Sequence, residues 1–248
     1  MEVEFKQGQG IEQYLEALIG DVEFVWLDFE EDGLISNCIN KAHTLVFRLE
    51  CTPSFFDKYS IDNNDLYNHI FVDVNEFAKI LKRAKKNETI HLSCFDNCLN
   101  IKFIESDRHI EHTLSSDNYE DKMPFPQIPG YDYKLKYSLK DMSDIVKDLE
   151  VIKATTIVFS DCGKSIEICN ESDSVWNSYC KTIDIDKEVF DSFRIGFNLD
   201  LFSKTLKFNK INDEVVFELK DEMPIKIGYE GDNIDLKCIL APLIEAVD

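Results

Sequence analysis

The chain has no uninterrupted run of roughly 18 apolar residues, so no helix able to cross a bilayer is expected. Its first residues, MEVEFKQGQG, lack the basic-then-apolar order of a secretory leader, and none is expected. Positive charge is scarce: 27 Lys and Arg stand against 48 Asp and Glu, a formal net charge of −21. Such a surface repels nucleic acid over most of its area, so any contact with DNA must gather the cations on one face. Composition alone also fits an acidic protein with no nucleic-acid role.

Catalytic motifs are missing too. There is no Gly-x-Ser-x-Gly, no Gly-x4-Gly-Lys-Ser/Thr, no His-Glu-x-x-His and no Gly-x-Gly-x-x-Gly, so neither an enzyme nor a cofactor is expected. Gly8-Gln9-Gly10 lacks a third glycine and fits a helix cap. His109 and His112 lie three apart in a strand-like stretch, which sends their rings to opposite faces. No Cys-x-x-Cys occurs among the 8 cysteines. Most lie in strand-like segments and, without a leader, are expected to be reduced intracellular thiols. Cys94 and Cys98 flank a turn, and no metal is expected there.

What the chain does have is alternation of apolar and polar residues. It recurs in VEFVWLDFE (22–30), TLVFRLE (44–50), TIHLSCF (89–95), LNIKFIE (99–105), TTIVFSD (155–161), SIEICNE (165–171), VVFELK (215–220) and IDLKCIL (234–240). Asp, Asn and Gly punctuate these runs, the pattern of antiparallel hairpins. Four segments switch to helical spacing: 10–19, 73–85 with Asp73 as N-cap, 139–149 and 199–208. From residue 1 the order is strand, helix, three strands, helix, three strands, and it repeats from residue 131. The expected organisation is a first half over 1–113, a proline-bearing connecting loop over 114–133 and a second half over 134–248.

The cations cluster on the helical segments. Lys79, Lys82, Arg83 and Lys86 share a face of the second by i, i+3, i+4, i+7 spacing. Lys140 and Lys147 share one on the third. Lys204 and Lys207 lie on the fourth, with Lys210 just after it. No aromatic residues interleave with them, which favours loose phosphate contact over base stacking.

The chain also resembles the DNA sliding clamps of the proliferating cell nuclear antigen (PCNA) type. The resemblance is carried by LEAL (15–18), EDG (31–33), SNCINKAHTLVFRL (36–49), VNEFAKILKRA (74–84), QIPGYDY (127–133), DEMPIKIGY (221–229) and LAPLIE (240–245). It implies an α+β fold of two similar halves, each of antiparallel sheets with two helices, closing into a trimeric ring around duplex DNA. It also implies pairing of a strand near 109–114 with one near 175–183 of the next subunit. Lys79, Lys82, Lys147 and Lys207 match positions that are usually basic in the family. Glu12, Gln13 and Ile19 on the first helix, and Asp144 and Asp200, do not. The pattern therefore fits either a homotrimer or one member of a heterotrimer.

By the same resemblance, polymerase, clamp loader, flap endonuclease and ligase would dock a short peptide into an apolar pocket. Its residues here would be Ile39, His43, Thr44, Ile128, Tyr133, Pro224, Ala241, Pro242 and Ile244. Ile239–Leu240 stands where the family often has a tyrosine. The implied location is intracellular, the nucleus in a eukaryote or the cytoplasm in an archaeon. Two alternatives remain: a checkpoint-type or viral clamp-like accessory subunit, and an acidic DNA-mimic scaffold.

Overall fold

Alternation becomes sheet throughout. The structure, a computed structural model, describes residues 1–7, 10–61, 68–86, 88–95, 98–113, 124–128, 130–171, 178–185 and 193–243. They fall into two compact units, Met1–Phe125 with Glu230–Lys237, and Pro126–Tyr229 with Cys238–Asp248.

Unit 1 runs β1 (Glu2–Lys6), α1 (Ile11–Leu18), β2 (Phe24–Glu30), β3 (Gly33–Ile39), β4 (Leu45–Cys51), a 3-10 turn (Pro53–Phe55), β5 (Lys58–Ser60), β6 (His69–Asp73), α2 (Val74–Leu81), β7 (Thr89–Phe95), β8 (Cys98–Phe103) and β9 (Arg108–Thr113). One antiparallel sheet has the order β5-β1-β7-β8-β9, and a second contains β4-β3-β2-β6. The period-two pattern decides which face each strand buries: Val3 and Phe5 of β1 point into the core while Glu2 and Lys6 face water. Helices α1 and α2 bury Leu15, Leu18, Phe77 and Leu81 completely. The Tyr14 hydroxyl meets the Ser36 hydroxyl at 2.9 Å, and Ser36 donates to Trp26 O at 2.7 Å, so these two buried hydroxyls are satisfied. Gly33 opens β3 at φ 126°, where a Cβ would sit 2.0 Å from the Cys51 carbonyl oxygen, so only glycine fits.

Unit 2 runs β10 (Tyr133–Ser138), α3 (Leu139–Val151), β11 (Thr156–Asp161), β12 (Ser165–Cys169), β13 (Cys180–Asp184), β14 (Arg194–Asn198), α4 (Leu199–Lys204), β15 (Glu214–Leu219) and β16 (Ile225–Glu230). The last strand, β17 (Ile234–Leu240), gives its residues up to Lys237 to unit 1 and the rest to unit 2. The strand orders repeat: β13-β12-β11-β14 follows β4-β3-β2-β6, and β10-β15-β16-β17 follows β1-β7-β8-β9. The core of unit 2 is aromatic, with Phe159 within 5.7–6.1 Å of Phe197, Phe202 and Phe217.

Two expectations change. Among the described residues, five strands lie between the helices of unit 1 and four between those of unit 2, not three. The extra ones are short: β5 pairs only three residues of β1, while β6 and β14 run straight into a helix N-cap. The second and fourth helices are also shorter than 73–85 and 199–208, ending at Leu81 and Lys204.

Candidate nucleic-acid and partner interfaces

Of the four α-helices among the described residues, three start on a side-chain cap. Asp73 Oδ1 accepts from Glu76 N at 2.8 Å, Ser138 Oγ from Asp141 N at 3.2 Å, and Asn198 Oδ1 from Leu201 N at 3.0 Å. Helix α1 has Gly10 at its N-cap, with φ 120° and no side-chain bond; Gly8 and Gln9 lie outside the described residues.

The basic residues expected on one face of the second helix are divided by its early end. Lys79 is on α2, Lys82 is its C-cap, and Arg83 and Lys86 lie beyond it. A donor from distant sequence and an acceptor three residues on hold the chain just past the stop. Arg108 Nη2 donates to Arg83 O at 2.8 Å, and Glu88 Oε2 accepts from Lys85 N at 2.7 Å. Glu88 is buried, also bonds the Ser106 hydroxyl, and holds Arg108 at 2.9 Å. The Ser106 hydroxyl first, then the Lys85 amide and Arg108, keep the Glu88 carboxyl below its ordinary pKa. Arg108 in turn lies 4.6 Å from the centre of the Phe103 ring. Cations at a helix C-terminus also complement its dipole. Lys79, Lys82, Arg83 and Lys86 are all exposed, and Lys82 reaches Glu16 of α1 at 3.3 Å.

In unit 2, Lys140 and Lys147 are exposed on α3. Lys147 pairs with Asp144 at 2.8 Å, and that hydrogen bond lowers the pKa of Asp144 and raises that of Lys147. Lys204 is the last residue of α4 and pairs with Asp200 at 3.1 Å. Lys207 and Lys210 are exposed but lie past the helix. The Thr205 hydroxyl donates to Phe202 O at 2.7 Å, and Tyr229 Oη to Thr205 O at 2.6 Å, closing the helix early. Lys140 and Lys207 do come together, on the wall of an open cleft of about 610 Å³ with Ser138, Ser143 and Asp213.

The residues assigned to a partner pocket belong to both units. In unit 1, Ile39 is the last residue of β3 and half-buried, His43 is exposed at φ 57°, and Thr44 follows it. Their turn is organised by Asn40, a buried residue that the sequence reading passed over. Its Oδ1 accepts from Thr44 N at 2.8 Å and Leu45 N at 3.0 Å. In unit 2, Ile128, Tyr133, Pro224, Ala241 and Pro242 are half-buried, and the Tyr133 ring packs 4.8 Å from that of Phe193. Ile244 lies outside the described residues. Leu243, not singled out from sequence, is 42% exposed, and its amide donates to Gly196 O at 2.8 Å, pinning the tail to β14.

A duplicated all-antiparallel clamp fold with cations concentrated on and after its helices defines the class. Residues 1–123 match the family model "Proliferating cell nuclear antigen, N-terminal domain". The chain is similar to the DNA polymerase sliding clamp of Methanothermobacter thermautotrophicus, 28% identical over 238 residues and 93% of each chain. It is similar to DNA polymerase sliding clamp 1 of Thermococcus kodakarensis, 26% identical over 229 residues and 88% of each. Its fold matches the PCNA2–PCNA3 complex of Sulfolobus tokodaii at TM-score 0.81 and 18% identity, covering 98% of this chain and 99% of that one. It matches PCNA of Entamoeba histolytica at TM-score 0.83 and 17% identity, covering 98% of each. The chain belongs to the PCNA-type sliding-clamp family.

Proposed function

We propose that the chain is one subunit of a ring that encircles duplex DNA and acts as a polymerase processivity factor, not as an enzyme. The support is the relatives' printed role as DNA polymerase sliding clamps and one feature of the repeat. In unit 1 the segment Glu230–Lys237 lies along β4: Thr52 N donates to Asn233 O at 3.0 Å, and Lys237 Nζ meets Glu50 Oε2 at 2.5 Å. β13 is the duplicate of β4 and ends its sheet among the described residues. β9, the duplicate of β17, ends another. A neighbouring chain's β9 laid against β13 would repeat the β4 arrangement and remove both open edges. Inside the ring the cations need only weak, sequence-blind phosphate contact, because enclosure holds the DNA, and the acidic remainder repels it elsewhere.

The test is the mass of the native protein together with polymerase stimulation on primed circular DNA. A trimer that stimulates synthesis is the expected result. A strict monomer at micromolar concentration that never stimulates, alone or with sibling subunits, overturns it. The heterotrimer version is favoured by α1, which carries no lysine, and by the carboxylates matched to Lys82, Lys147 and Lys204. It expects a monomer or dimer alone and a trimer only with siblings.

The partner reading assigns Ile39, His43, Thr44, Ile128, Tyr133, Pro224, Ala241, Pro242 and Ile244 to peptide docking by polymerase, clamp loader, flap endonuclease or ligase. It rests on the family resemblance and on the exposed apolar tail at Leu243. Pro242→Ala with Ile244→Ala is expected to weaken a partner peptide without changing the native mass. Unchanged affinity refutes the assignment.

A further inference from the structure

Among the described residues Cys38, Cys51, Cys94 and Cys238 are buried, whereas Cys162, Cys169 and Cys180 of unit 2 are exposed or half-exposed. The last three gather on one sheet. Register places Cys169 directly opposite Cys180, and Glu167 opposite both Thr182 and Ser160. Ile166, Ile168 and Ile183 fill the buried face of the same strands. By alternation Glu167, Cys169, Cys180 and Thr182 therefore share the other face. Both Cys162 and Cys180 hydrogen-bond Glu167, and Arg194 bonds Cys169.

Directly opposed residues of an antiparallel pair have Cα atoms about 4.5 or 5.5 Å apart. A disulfide accepts about 4.4–6.8 Å. The strands are also locked just behind the pair, where Tyr179 N donates to Asn170 Oδ1 at 2.7 Å. The register thus puts the two residues within the Cα range that a disulfide spans.

We propose that Cys169 and Cys180 form a reversible redox couple, closed to a cross-strand disulfide by a small-molecule disulfide such as oxidised glutathione and reopened by free thiol. The exposed Cys180 thiolate attacks one sulfur of the oxidant, forming a mixed disulfide and expelling one glutathione thiolate, which takes up a proton. Cys169 then attacks the Cys180 sulfur and expels the second glutathione. Two electrons and two protons pass to glutathione, and one S–S bond replaces another. Glu167 restrains the first step. Burial and then its hydrogen bond push the Cys180 thiol up to about 11, so little thiolate exists at neutral pH. Arg194 favours thiolate at Cys169, against the larger effect of burial. Both thiols belong to one unit of one chain, and on the ring reading Cys180 lies on β13, the strand a neighbouring β9 would pair, so closure is expected to be faster in the unassembled chain than in the ring.

The experiment treats the native full-length protein with oxidised glutathione and maps the product by peptide mass. The expected product is a 169–180 linked peptide lighter by two hydrogens and restored by dithiothreitol. It persists in Cys162→Ser and is replaced by a stable glutathione adduct in Cys169→Ser. Glu167→Gln is expected to close several-fold faster, and an unchanged circular dichroism spectrum shows that its fold is kept. A 162–180 link in the wild type overturns the pairing. Glutathione adducts on the exposed thiols without any 169–180 link overturn the couple, and an unaltered closure rate in Glu167→Gln overturns the role of the carboxylate.

Discussion

The two units follow one strand plan but match the charge on their helices to different degrees: of the unit 1 cations Lys79, Lys82, Arg83 and Lys86, Lys82 reaches a carboxylate, Glu16 at 3.3 Å. At the end of α2, the chain is held by Arg108 and the buried Glu88, and Lys79, Arg83 and Lys86 form no ion pair among the described residues. In unit 2 carboxylates lie on the same helices as the cations: Lys147 meets Asp144, and Lys204 meets Asp200. Among the described residues of α3, α4 and the turn after α4, Lys140 and Lys207 form no ion pair within 4 Å and line one cleft with Asp213. A count of lysines therefore overstates the field of unit 2 and represents that of unit 1 more fairly.

The strongest way to break this comparison is to ask whether the units are energetically separate at all. Phe159→Ala removes the ring at the centre of the unit 2 aromatic cluster, and about 3–5 kcal/mol of stability should go with it. Hydrogen exchange should then quicken in β11–β14 while β1, β7 and β8 stay protected. Equal loss in both units would show that they open together.

A finer test concerns charge. Replacing Lys140 and Lys207 with Ala should lower the salt dependence of DNA binding by a slope of about 2. Deleting a matched pair, Lys147→Ala with Asp144→Ala, should leave it almost unchanged. If the two double variants behave alike in a salt titration, internal pairing does not decide which cations meet phosphate.

The smallest expected effect is on acid stability. Burial acts to raise the pKa of Glu50, but hydrogen bonds from Arg48 and Lys237 outweigh it and hold it below the ordinary value. A carboxylate with a lowered folded pKa stabilises above its unfolded pKa, and that contribution fades as pH falls through the folded one. Urea midpoints should fall on acidification from about pH 5 to pH 3. Glu50→Gln should make that fall shallower, and an unaltered slope would remove Glu50 from the account.

The parts of this fold that announce themselves in sequence are local. Alternation marks the long strands, and Asp73 is an N-cap as its position suggests. Helix ends are less legible because Lys and Arg are good helix formers and groups that hold the chain past α2 and α4 come from far along it. Arg108 is 25 residues from the Arg83 carbonyl it caps, and Tyr229 is 24 from Thr205. β5, with three residues, is too short to show a period, whereas β6 and β14 alternate but run directly into helix N-caps, so their alternation merges with the helical spacing that follows. Asn40 escaped notice because a buried asparagine in a turn looks, in sequence, like any polar loop residue. The pairing of Lys140 with Lys207 was invisible for the same reason as the helix ends: it depends on where α4 stops.

The assignment of Glu230–Lys237 to unit 1 has a consequence for how the chain is made. The Lys237–Glu50 ion pair spans 187 residues and the Thr52–Asn233 bond 181. Contacts of such separation are slow to form, because the intervening chain must be ordered first. During synthesis, the first unit to emerge lacks its final segment until translation has passed residue 237. β4 then waits with its flank uncovered, and a truncated N-terminal half would be left with that edge open to other chains.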